Sequence, residues 1–206
     1  MKRLFFILLF SFLKGFSQNS DDTNVLKIVI EFEKDSNFVY SKKSVGYESL
    51  IKIISKKNIY NEINPSNTLI LSDNEIKYLK NEIKKSAEYL FQPNLLANSK
   101  IISPDTLSFY SANRNKIWRK EMTEVIQSKD SLLIAKFREE KGYPCLYSWV
   151  HFFSKPIYFR NNTFCIFYYA KLCDFDHGVG GCSQIIICRK NKNVWEKYNE
   201  IILGCY

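Results

Sequence analysis

Histidine and methionine are scarce in this chain, with 2 residues each among 206, and proline and glycine number only 5 and 7. So few glycines cannot make every turn. Asn, Ser and Asp must make many of them, because their short polar side chains hydrogen-bond the local backbone. No G-x-S-x-G, H-E-x-x-H or Walker pattern occurs, so the familiar hydrolase, zinc-protease and phosphate-loop chemistries have no footing in the sequence. No internal repeat or low-complexity linker divides the chain, and one domain is expected over residues 18–206. Cysteine is missing until Cys145; it then recurs at Cys165, Cys173, Cys182, Cys188 and Cys205.

What is present points first to export. Lys2 and Arg3 precede an apolar run from Leu4 to Leu13, and Gly15-Phe16-Ser17 places small residues at the −3 and −1 positions of a cleavage site before Gln18. This is the pattern of a secretory signal peptide over residues 1–17. The run is short for a membrane span of about 20 residues, and no cysteine follows it to carry a lipid. No later stretch is apolar enough to span a bilayer. Removing the leader takes away Lys2, Arg3 and Lys14, so a formal net charge of +9 falls to +6. The remaining lysines are scattered among acids, in pairs such as Lys42-Lys43 and Lys84-Lys85, rather than gathered on one stretch. A nucleic-acid partner is therefore not expected. An even number of cysteines in an exported protein permits disulfides, with the pairing left open.

Periodicity places helices early and strands late. Val25, Ile28, Val29 and Phe32 recur at helical spacing behind candidate N-caps Asp22, Thr23 and Asn24, and helix is preferred there over strand. Leu50, Ile51, Ile53 and Ile54 suggest a short helix; Asn58 to Asn67 reads as a loop. Ser72 and Glu75 form the capping-box pattern S-x-x-E, followed by Ile76, Leu79, Ile83, Ala87 and Leu90 on one helical face. Thr106 to Tyr110 is expected as a short strand. Weaker helices are expected around Ile117 to Ile126 and from Asp130 to Lys141. From Cys145 the period changes. Cys145 to Phe153 alternates as a strand does, and Phe164 to Leu172 and Ser183 to Lys190 are apolar runs of strand length. Asn191-Lys192-Asn193 is a turn, and Val194 to Leu203 a further strand. The fold class expected is α+β, with N-terminal helices packed on a C-terminal antiparallel meander.

One stretch gathers thiols, carboxylates, an imidazole and glycines: Cys173-Asp174-Phe175-Asp176-His177-Gly178-Val179-Gly180-Gly181-Cys182. Four readings apply to it. A Cys173–Cys182 disulfide would clasp the loop between two strands. A metal would take Cys173, His177 and Cys182, with Asp174 or Asp176. His177 beside Asp176 would serve as a base for a thiol nucleophile. A glycine-rich loop displaying Phe175 would bind a partner. The disulfide is the leading reading; Asp174, Asp176, His177 and Gly178 are the further site candidates. Trp149 and Trp195 offer a sugar-stacking platform, although aromatics more commonly cover a sheet. The sequon Asn161-Asn162-Thr163 matters only on a eukaryotic secretory route.

The run Phe153-Ser154-Lys155-Pro156-Ile157-Tyr158-Phe159, the Gly/Cys loop and Arg189-Lys190-Asn191-Lys192-Asn193-Val194-Trp195 together resemble small secreted proteins of Bacteroidetes. The resemblance covers roughly residues 150 to 200. It implies export and a β-meander and carries no assigned activity; the acids and His177 depart from the compact loop of that pattern. The functional expectation is an exported, non-enzymatic binding or structural protein of the periplasm or exterior. Its partner would be a protein or small molecule, and it needs no cofactor. The alternative is a small hydrolase or metal-dependent enzyme centred on the Cys173–Cys182 loop.

Overall fold

The computed structural model describes residues 21–30, 38–60, 67–93, 95–134, 149–172 and 181–205. Helix α1 (21–30) comes first. It is followed by β1 (Phe38–Ser41), α2 (Tyr47–Ile54), β2 (Asn58–Ile59), β3 (Leu69–Ile70), α3 (Asp73–Ser86), β4 (Ser99–Ile102) and α4 (Pro104–Gln127). The C-terminal part supplies β5 (Val150–Phe153), β6 (Ile157–Phe159), β7 (Phe164–Leu172), β8 (Gly181–Asn191) and β9 (Val194–Cys205). A 7-stranded sheet runs β4-β1-β5-β7-β8-β9, with β6 paired to β7 beside the end of β5. Pairing is antiparallel from β5 to β9 and parallel where β1 meets β4 and β5. No helix of the described residues is long and apolar enough to cross a membrane.

The α+β class holds, and the arrangement is more interleaved than expected. Helices are spread along the described chain, and two strands from its first half complete the sheet. β1 arises in the polar stretch after Lys34 that has no clear period. Thr106 to Tyr110 is not a strand. Ser103 caps α4 by accepting the Thr106 N–H at 3.1 Å, and Pro104 follows at the first turn, where a missing N–H costs nothing. The expected loop over Asn58 to Asn67 contains β2, which pairs with β3. The helix expected from Asp130 is helical over 131–134, and its remainder lies outside the described residues, as does Cys145 to Ser148 of the expected strand.

Strand alternation divides the core into two layers. Ile166, Ile185, Ile187, Ile157 and Phe159 face α2 and α3, which contribute Leu50, Ile54, Leu79 and Ile83. Cys165, Phe167, Tyr169, Ile186, Cys188 and Tyr158 face the other way, where Val25, Leu26 and Val29 of α1 cover them. Gly46, at φ 76°, starts α2 against the ring of Tyr168, and a Cβ there would meet the ring at 2.1 Å, so only glycine fits.

Candidate functional site

Of the residues singled out in the glycine-cysteine loop, the described part of the chain contains Cys182. Cys173, Asp174, Phe175, Asp176, His177 and Gly178 lie outside it. Cys182 is bonded to Cys205, with Cα atoms 4.1 Å apart, and not to Cys173. Strand register makes this choice. The Lys190 N–H donates to the Thr163 carbonyl at 2.8 Å, so even-numbered residues of β8 turn their backbone groups toward β7. Toward β9 these same residues form the non-hydrogen-bonded, closely spaced pairs, which suit a disulfide. Cys182 opposite Cys205 is one of them. Cys165 and Cys188 are also directly opposed, across β7 and β8, but in the wider hydrogen-bonded position, and both remain free and buried. Burial pushes the Cys188 thiol up to about 12 and the Cys165 thiol well above its ordinary value, which leaves both poor nucleophiles. Among the described residues no three His, Cys, Asp or Glu side chains converge to hold a metal.

The chemistry the structure does assemble lies on the α1 side of the sheet. Asp22 was a candidate helix cap; instead it is buried inside α1 and accepts the Tyr158 hydroxyl at 2.6 Å. Burial raises its carboxyl to about 6, opposed by the Tyr158 hydrogen bond and by Lys155. Burial also raises the Tyr158 phenol. Next to it, Asp21 accepts from Lys190 Nζ at 3.1 Å and from Trp195 Nε1 at 3.0 Å. Trp195 is thus buried in the core and offers no stacking platform, while Lys171 covers the Trp149 ring at 4.6 Å. His151 is 1% exposed on β5, with Nδ1 2.9 Å from the Tyr169 hydroxyl. Burial, helped by the charge of Lys171, lowers it to about 3, so it is a neutral core imidazole at physiological pH.

Beside Tyr158 opens a cleft of about 340 Å³. Tyr78, Glu82 and Lys85 of α3, with Glu88 and Tyr89 just after it, form one wall; Lys155, Pro156 and Tyr158 form the other. Both ends are tied. At one, Arg160 donates from Nε to Glu75 Oε1 at 2.7 Å and from Nη2 to the Ile70 carbonyl at 2.7 Å, which binds the β6–β7 turn to the start of α3. Glu75 also closes the capping box with Ser72, and the Arg160 hydrogen bond is the main reason its carboxyl falls to about 2. At the other end, Ser44 donates its N–H to the Tyr89 carbonyl at 3.0 Å, and its hydroxyl accepts the Lys155 N–H at 3.1 Å. Lys155 Nζ rests 4.9 Å from the Tyr89 ring centre. Lys85 is paired to Glu82 at 2.6 Å. The sequon lies in the β6–β7 turn, where Arg160, Asn161 and Asn162 all have positive φ, and Asn162 borders the cleft.

Sequence reasoning missed this cleft because its walls come from segments some 70 residues apart with no motif of their own. Two signals sat beside it, the capping box and the run from Phe153 to Phe159. Comparison of the chain with family models, curated proteins and solved structures finds no match.

Proposed function

We propose that the protein is an exported, non-enzymatic binding protein that holds a small polar ligand in the cleft between α3 and β6. The cleft carries this reading. It is at the lower end of the size range of ligand sites, roughly 300–1,000 Å³. Its walls present three tyrosines with charges of both signs, and hydrogen bonds brace it at both ends, so little ordering is needed on binding. The leader-like segment at residues 1–17 and the Cys182–Cys205 disulfide support export to the periplasm or exterior.

The test is a panel of amino acids, short peptides, sugars and nucleosides, read by thermal shift and by amide signals of cleft residues. At least one class is expected to raise the melting temperature, and Lys155→Ala with Tyr89→Ala should abolish that rise without changing the fold. If millimolar concentrations of every class leave the cleft signals unmoved, the reading fails.

A further inference from the structure

β6 pairs with β7 on one side, and its other edge faces the cleft. Even-numbered residues of β7 direct their backbone groups toward β5 and β6, as the Ser154 N–H donating to the Tyr168 carbonyl at 3.0 Å indicates. Within β6 the residues opposite them, Ile157 and Phe159, therefore bond to β7, and Tyr158 turns outward. The Tyr158 carbonyl does point outward: it accepts the Tyr78 hydroxyl at 3.1 Å. Strand geometry sends the Tyr158 N–H the same way, and no backbone carbonyl of the described residues closes on it. Pro156, two residues earlier on the same edge, has no N–H and leaves only its carbonyl there. The cleft is thus a groove between a helix and an open strand edge. Its floor displays a main-chain acceptor, donor and acceptor in sequence.

We infer that the ligand of this cleft is an extended peptide segment that adds to the β6 edge. This rests on the cleft being the binding site and names the class of ligand it takes. One peptide residue accepts from the Tyr158 N–H and donates to the Tyr158 carbonyl, whose second lone pair leaves room beside the Tyr78 hydroxyl. The residues before and after it turn their side chains toward α3, where Tyr78, Glu82 and Tyr89 provide aromatic and acidic contacts. Main-chain pairing provides affinity for peptides generally, and those side chains provide selectivity. An edge donor that no described backbone carbonyl meets is available to a main-chain acceptor of the peptide.

The probe is a synthetic set of acetylated, amidated pentapeptides titrated in pools against the ¹⁵N-labelled protein. Binding pools are expected to move the amide signals of Tyr158 and Asn162. In the best peptide, N-methylation of the one residue facing Tyr158 should weaken binding by about tenfold or more, whereas methylation of either neighbour changes it little. Tyr78→Phe, which clears the edge carbonyl, should keep or tighten binding. Uniform sensitivity to N-methylation, or loss of binding in Tyr78→Phe, overturns strand addition. If no peptide moves the cleft signals but single amino acids or sugars do, the ligand class is wrong and the binding site stands. If nothing moves them, both readings fall.

Discussion

The two faces of the central sheet follow different rules. Under α2 and α3 the fully buried side chains are Leu50, Ile54, Leu69, Leu71, Leu79, Ile83, Ile166, Ile185 and Ile187, and none can ionise. Under α1 the layer mixes Phe91, Phe153 and Phe167 with Tyr158, Tyr169, Cys165 and Cys188, and Asp22 and His151 are buried beside them. The aliphatic layer owes its stability to apolar area removed from water, which does not respond to pH. In the aromatic layer hydrogen bonds offset the burial of Asp22, Tyr158, His151 and Tyr169, and its stability depends on which protons are bound. The cleft lies where the two layers meet, at the edge of β6, so a rigid aliphatic wall backs one side of it and an ionisable network the other.

The contrast can be broken most forcefully in the aliphatic layer. Ile166→Ala, at 0% exposure, should cost about 3–4 kcal/mol. Urea unfolding at pH 5 and pH 8 should give the same loss; a loss that varies strongly with pH would mean that this layer also senses protons. The next largest effect concerns the cysteines. Reducing Cys182–Cys205, which spans 23 residues, should cost about 3 kcal/mol. Mass spectrometry after alkylation of the folded, reduced protein should find Cys182 and Cys205 modified and Cys165 and Cys188 untouched. Rapid labelling of Cys188 would show that the aromatic layer is open to solvent.

The smallest effect is the most discriminating. His151, neutral when folded, has its pKa lowered from 6.5 to about 3, so the unfolded chain binds the extra proton between those values. Stability is then lost as pH falls. Asp22 has its pKa raised from 3.8 to about 6, so the folded chain binds the extra proton between those values. Its contribution is lost as pH rises. Between pH 4 and 6 the two slopes, each about 1.4 kcal/mol per pH unit, oppose one another. Wild-type stability should be nearly flat there, and Asp22→Asn should uncover a rise with pH of about that slope. Below pH 4.5 the lowered Glu75 adds its own loss toward pH 2. A flat profile in Asp22→Asn would mean that His151 is not held neutral.

Local chemistry made much of the fold legible. Ser72 and Glu75 announced α3, which starts at Asp73 with both halves of the capping box formed. Asn191-Lys192-Asn193 announced the β8–β9 turn, and Lys192 and Asn193 adopt the positive φ expected of it. Long apolar runs announced β7 and β8. What stayed hidden depends on register and on distant partners. Cys173 and Cys182 are close in sequence, but Cys205 is the residue that the β8–β9 register places opposite Cys182, through two β-bulges that no local pattern reveals. β1 is four residues long and joins the sheet between β4 and β5, so its neighbours stabilise it rather than its own composition. Asp22 read as a cap because caps are local; its partner Tyr158 is 136 residues away. His177 and its acidic neighbours, the most conspicuous chemistry in the sequence, lie outside the described residues.

The outer strand β9 has a consequence for how copies of this protein behave in concentrated solution. Where a bulge turns the Tyr198 carbonyl outward, Asn67 Nδ2 meets it at 2.9 Å, and Asn199 Nδ2 returns a bond to the Asn67 carbonyl at 3.0 Å. Two carboxamides thus occupy the middle of an edge that another molecule would need for end-on sheet growth. Exposed Val194 and Ile202 flank that block without forming an uninterrupted ribbon. Among the described residues, these side chains obstruct the edge against fibre-like stacking.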